Sequence, residues 1–306
     1  MNSNKSKSYL KFLFIFSVSM YFIFLGVLIT AKSINNQYIK IHGVYSNSGS
    51  PNQTRNLLKK LNNDKYSLIF GSSRIQQLSS SIIKEKLLNI NYIYARPDII
   101  FDFLKRMDDV SWENTNKVFI SLDFHALSKD KYYVDVDEIF NAKPKFNFLL
   151  QTIKTASLSS LINSTKYLIE IITRDQKVIY DDFGVRITKK KIWSGRNPVR
   201  LKDDTSYNYE LTKFILNIKQ ICDEKKKEVI FFTPVLSKEY FIQHEKFMEG
   251  FISSILKYIN EFYFFYYVNE ISDFQEFFRD ESHLNVDGMK KWFNLNWESY
   301  KISKDK

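Results

Sequence analysis

The chain has 306 residues, 44% hydrophobic and 16% aromatic, enough for one sizeable domain with a packed core beyond its N-terminal segment. The formal net charge of +11 comes from scattered lysines with small clusters at Lys189–Lys191 and Lys225–Lys227, and no nucleic-acid-binding motif accompanies them. The charge therefore reads as solvated surface with a general preference for anionic glycans or lipid headgroups. The single cysteine, Cys222, excludes an intrachain disulfide and a zinc site built from thiolates.

Phe12–Ala31 is an uncharged apolar run, the length of about 20 residues needed to cross a bilayer as a helix. Lys5, Lys7 and Lys11 precede it without an acidic residue, which favours a cytoplasmic N-terminus. The rival reading, a cleaved signal peptide, fits less well. Cleavage after Ala31 would put Ile29 where a small residue belongs, and the run is long for a signal sequence. The expectation is an uncleaved single-pass anchor in the plasma (inner) membrane, with the rest of the chain extracytoplasmic. Residues 32–64 are rich in Asn and Ser and read as a linker or stalk, with a short helix around Leu57, Leu58 and Leu61.

Tyr66–Phe70 reads as a buried strand ending at Gly71-Ser72-Ser73-Arg74. A serine at the tip of a strand-to-helix turn can serve as a nucleophile, and free N–H groups at a helix start can receive an oxyanion. Ser80 is placed to cap a helix running through Ile82, Ile83 and Leu87. Further strands are predicted at Asn91–Tyr94, Lys117–Leu122, Glu228–Phe232 and Phe264–Val268. Helices are predicted after Pro97, over Tyr209–Glu224 and over Tyr240–Phe262. The less regular stretch 142–200 reads as an insertion or lid, with helical pattern in Leu149–Ile172 and a basic loop over Gly184–Arg200. Alternating strands and helices predict an α/β domain over 65–306, with a mostly parallel sheet covered by helices on both faces. In such sheets functional residues gather at the carboxyl ends of the strands. Ser72, Ser73, Asp123 and Thr233 fall there.

Near the C-terminus stands Asp280-Glu-Ser-His-Leu-Asn-Val-Asp-Gly288. An Asp three residues before a His can turn back to hold the imidazole Nδ1–H, leaving Nε2 as a general base for a serine hydroxyl. Alone, the stretch reads first as a loop histidine beside a helix-capping Asp or Asn.

Together, Gly71-Ser72-Ser73 after the first strand and Asp280-x-x-His283-Leu-Asn-x-x-Gly288 before the last helix resemble the SGNH (GDSL-type) hydrolase superfamily. The resemblance implies a three-layer α/β/α sandwich and esterase, lipase or acetyltransferase activity, with Ser73 as nucleophile, His283 as base and Asp280 as its partner. The membrane anchor with Gly-Ser-Ser-Arg resembles the branch associated with bacterial cell-surface polysaccharide acylation. That implies an acylated glycan or other ester substrate, a membrane acyl-donor partner protein if the reaction is transfer, and no cofactor or metal.

The family's second motif usually supplies a glycine N–H to the oxyanion, and 91–98 contains no glycine. Its third motif usually supplies an Asn where this chain has Asp123. Arg74 and Asp123 are the remaining candidates for oxyanion or substrate binding. Asp123 bracing the Ser73 loop, and a salt bridge from Arg74, are the alternatives. His125 reads as a second base or a satisfied loop histidine. The competing function is an SGNH-type fold kept as a catalytically degenerate glycan-binding or assembly subunit.

Overall fold

The computed structural model describes residues 3–37, 40–41, 44–45, 51–90, 96–127, 136–140, 162, 164–166, 168–169, 179–180, 182–187 and 207–304. The chain divides into two compact units, Met1–Asn47 with Asn141–Lys177, and Ser48–Phe140 with Val178–Lys306. The first holds helix α1 (Ser3–Gln37), whose stretch Lys11–Thr30 is long and apolar enough to cross a membrane. A two-stranded pairing of Lys40–Ile41 with Val44–Tyr45 follows.

The second unit is α/β. Its sheet contains β1 (Tyr66–Phe70), β2 (Leu87–Ile90), β3 (Thr115–Ser121), β4 (Glu228–Phe232), β5 (Glu261–Tyr263) and β6 (Lys301–Ser303). Their spatial order is β6-β5-β4-β3-β1-β2, parallel throughout except for β6, which runs antiparallel to β5. The chain reverses its direction of travel across the sheet between β1 and β3, and the crevice at such a switch point is where open α/β sheets bind ligands.

Both faces of the sheet are buried, so the strands read as near-continuous apolar runs. One face carries Leu68, Phe70, Leu88, Ile90, Val118 and Ile120. Against it pack α2 (Pro51–Leu61), α4 (Pro97–Arg106), α6 (Phe214–Glu224) and α7 (Lys238–Ile255), through residues such as Leu61, Phe103, Ile218 and Phe251. Between them in sequence lie the short helices α3 (Ser80–Ile83) and α5 (Asp109–Glu113). The opposite face carries Ile69, Leu87, Phe119 and Phe232 and is covered by Ile82 of α3 and by Met289 and Trp292 of α8 (Val286–Phe293).

Several elements depart from the sequence reading. Helix α2 begins at Pro51, inside the stretch read as linker, and Leu57 and Leu61 are core residues of the α/β unit. Leu87 does not extend the helix after Ser80. Lys84 takes the left-handed conformation (φ 62°) and ends that helix, and Leu87 opens β2. The predicted strand Asn91–Tyr94 lies outside the described residues, as do 46–50 of the linker and 188–200 of the basic loop. Within Leu149–Ile172, the residues described are helical. The predicted strand Phe264–Val268 is replaced by Glu261–Tyr263. Pro234 brings no N–H to extend the β4 ladder, and the chain after Tyr263 is held instead by the Thr233 hydroxyl, which accepts from the Phe265 N–H at 2.7 Å.

Candidate active site

Gly71 closes β1 and allows its turn to approach β3. A Cβ there would lie 2.8 Å from Ser121 Cβ and would collide with the buried Ile75 side chain. The chain then enters a single 3₁₀ turn, Ser73–Ile75, capped by Ser72, whose Oγ accepts from the Arg74 N–H at 3.3 Å. Ser73 is thus the first residue of that turn, at the carboxyl end of the strand flanking the switch point.

The Asp280-x-x-His283 spacing is the geometry of a tight hairpin. Strand Phe278–Asp280 pairs antiparallel with His283–Leu284, and Asp280 and His283 are direct cross-strand partners around Glu281-Ser282. Directly paired side chains on such a ladder share a face. The remainder of the motif anchors the hairpin. Asn285 caps α8, its Oδ1 accepting from the Asp287 and Gly288 N–H groups at 3.0 Å each, while its Nδ2 donates to the Glu276 carbonyl at 2.6 Å. Gly288 lets α8 sit on Phe277, whose carbonyl oxygen a Cβ would strike.

The hairpin and the turn meet. Ser73 Oγ lies 2.7 Å from His283 Nε2, and His283 Nδ1 lies 2.7 Å from Asp280 Oδ1. Asp280 Oδ1 also accepts from the Ser282 N–H at 3.1 Å and its hydroxyl at 3.3 Å. Arg279 Nε stands 3.7 Å from Asp280 Oδ2. Burial pulls the His283 pKa below its ordinary 6.5, and the opposing hydrogen bond and charge of Asp280 only partly restore it. His283 is therefore neutral at neutral pH, with Nδ1–H donated to Asp280 and the Nε2 lone pair open to the Ser73 hydroxyl. Burial works to raise Asp280, but the His283 hydrogen bond and charge, the Ser282 N–H and Arg279 outweigh it and hold the carboxyl well below the usual range.

Arg74 and Asp123 also meet, behind Ser73. The Arg74 guanidinium pairs with Asp123 Oδ2, and both side chains are almost wholly buried. Asp123 Oδ2 also accepts from Ser72 Oγ at 2.8 Å and Oδ1 accepts from the His125 N–H at 3.1 Å. Burial would raise Asp123, yet Arg74 keeps it ionised and below its ordinary value. The carboxylate thus ties the Ser72–Arg74 turn to the end of β3. An ionised carboxylate has no hydrogen to donate to an oxyanion.

Tyr240 was not legible as a site residue. Its hydroxyl accepts from Arg74 NH2 at 3.1 Å and also bonds His125 Nε2, joining α7 to the network. Ser282 was missed as well, although it stands inside the motif. Thr233 serves the fold, as described above. Among the described residues no group of three or more His, Cys, Asp or Glu side chains is placed to hold a metal ion. No protein-family model matches the chain, and no curated protein matches it.

Proposed function

We propose that the chain is a membrane-anchored, extracytoplasmic serine esterase or O-acyltransferase of the SGNH type, acting on esters of cell-surface glycans through Ser73, His283 and Asp280. One observation carries the reading: a serine hydroxyl 2.7 Å from an imidazole nitrogen whose ring partner is held 2.7 Å from a carboxylate. A nucleophile, its base and the base's orienting group within hydrogen-bond reach are the geometric requirement for serine acyl transfer. The position at the switch point of a mostly parallel sheet, with helices on both faces, supports the same reading. The α1 stretch supports the anchor.

In the first step Ser73 Oγ attacks the ester carbonyl carbon while its proton passes to His283 Nε2. The imidazolium formed is stabilised by Asp280. The tetrahedral intermediate collapses as His283 returns the proton to the departing alcohol, leaving an acyl group on Ser73. Water or a sugar hydroxyl then gives its proton to His283 and attacks the acyl carbon, which releases acid or acylated sugar and restores Ser73.

Hydrolysis of a chromogenic acetate ester by the full chain in detergent tests this. Ser73→Ala is expected to lower kcat by about 10⁶-fold, the scale for loss of a triad serine. Wild-type turnover in Ser73→Ala contradicts it.

The commitment of Asp123 to Arg74 favours a second reading, a catalytically silent glycan-binding subunit. Glycan binding by a folded wild-type chain that turns over no ester and is not labelled at Ser73 would select it.

A further inference from the structure

The outer edge of β2 is covered by a second hairpin. Ile179–Tyr180 pairs antiparallel with Arg186–Ile187, and the tip between them carries Phe183 and Gly184. An edge strand presents unpaired backbone groups unless something covers them. Here the Asn89 N–H of β2 donates to the Phe183 carbonyl at 2.9 Å. Gly184 lies against the Asn89 carbonyl in a left-handed conformation (φ 80°), where a Cβ would strike that oxygen and come within 3.0 Å of Leu57. Phe183 adds a ring contact with Tyr66, centroids 6.3 Å apart, and Lys60 Nζ lies 4.7 Å from the Phe183 ring centre.

The side chain of the same asparagine points the other way. Asn89 is 1% exposed. Its Nδ2 donates to the Ile75 carbonyl at 2.9 Å and to the Leu78 carbonyl at 3.2 Å. The Ile75 carbonyl closes the 3₁₀ turn that begins at Ser73, and the Leu78 carbonyl lies three residues beyond it. Ile75 and Leu78 are both buried, and the Ile75 carbonyl also accepts from the Leu78 N–H at 3.0 Å, so the amide adds a second bond to the end of the turn and ties it to the stretch that follows.

We propose that Asn89 is a positioning residue for the Ser73 nucleophile and that the Phe183–Gly184 tip sets it. The tip fixes the Asn89 backbone at the sheet edge, and the Asn89 amide fixes the turn that aims Ser73 Oγ at His283. The inference rests on the acyl-transfer reading of Ser73 only for its kinetic arm. A misplacement of about 1 Å at a nucleophile can cost on the order of 10²-fold in rate.

Two variants of the full chain in detergent test the relay. Gly184→Ala forces the tip off Asn89, and Asn89→Leu removes both donors. Hydrogen exchange is expected to quicken at the Leu78 amide, which donates to Ile75 O at 3.0 Å, in both variants. Fluorophosphonate labelling of Ser73 is expected to fall on the order of 10²-fold with the pH midpoint unmoved, since neither variant touches Asp280 or His283. Wild-type exchange at Leu78 in the folded Gly184→Ala chain overturns the relay, whatever the labelling does. A wild-type chain that is never labelled contradicts the acyl-transfer reading instead, and the exchange arm still decides the role of Asn89.

Discussion

At His283 two opposing effects meet, and their balance sets the pH dependence. Burial disfavours the imidazolium more than Asp280 favours it, so the folded pKa lies below 6.5. Ester turnover should thus be full at neutral pH and fall on an acid limb with its midpoint below 6.5. A midpoint above 6.5 would contradict the assigned environment. Between the folded pKa and the ordinary value, the unfolded chain binds the proton that the folded chain refuses. The His283 contribution to stability therefore grows as pH rises through that window and is lost below it. Asp280→Asn keeps the shape of the hairpin but removes the charge that orients Nδ1–H. A fall in kcat on the order of 10⁴-fold, with the fold intact, is the expected result, and wild-type kcat would remove Asp280 from the mechanism. Asp123 sits in a different balance. Its partner Arg74 is equally buried, so Asp123→Ala strands a cation and should cost about 3–5 kcal/mol in denaturant unfolding. Replacing both residues with apolar side chains of similar volume should recover much of that loss.

Among the elements, the two proposed to carry chemistry were legible in part, because each has a local sequence pattern. Gly71-Ser72-Ser73 is a strand end plus a capped turn, and the spacing of Asp280 and His283 indicated that the two side chains can meet, whereas the hairpin that pairs them emerged only from the structure. The strand β4 was legible from its apolar run alone. Tyr240 was not legible, because it reaches Arg74 from 166 residues away on a helix with no local signal of that contact. Asn89 was hidden for a different reason: its partners are only 14 and 11 residues away, but a polar residue in an apolar strand gives no signal that its side chain reaches back to the preceding connection. The β5 boundary was missed because aromatic content continues past the ladder, while a threonine hydroxyl takes over the hydrogen bonding. Gly71→Ala tests how tightly the nucleophile turn is packed. The added methyl meets Ser121 Cβ at 2.8 Å and the buried Ile75, and should cost about 1–3 kcal/mol with slower labelling of Ser73. A thermal midpoint equal to wild type would show that the turn has room.

For the whole molecule, the proposal is a reactive α/β unit tethered to a membrane by α1. The tether predicts that the protein stays with the membrane fraction after an alkaline carbonate wash, with its N-terminal residues intact by mass spectrometry. A shortened chain in the soluble fraction would instead identify α1 as a removed leader. The central claim concerns the reactivity of one hydroxyl. Its most direct test is fluorophosphonate labelling of the full chain in detergent at neutral pH, with Ser73→Ala and His283→Ala as controls. Labelling of the wild type at Ser73, abolished in both variants, is the predicted result. Equal labelling in Ser73→Ala, or a folded wild-type chain that takes up no probe, would contradict an activated serine.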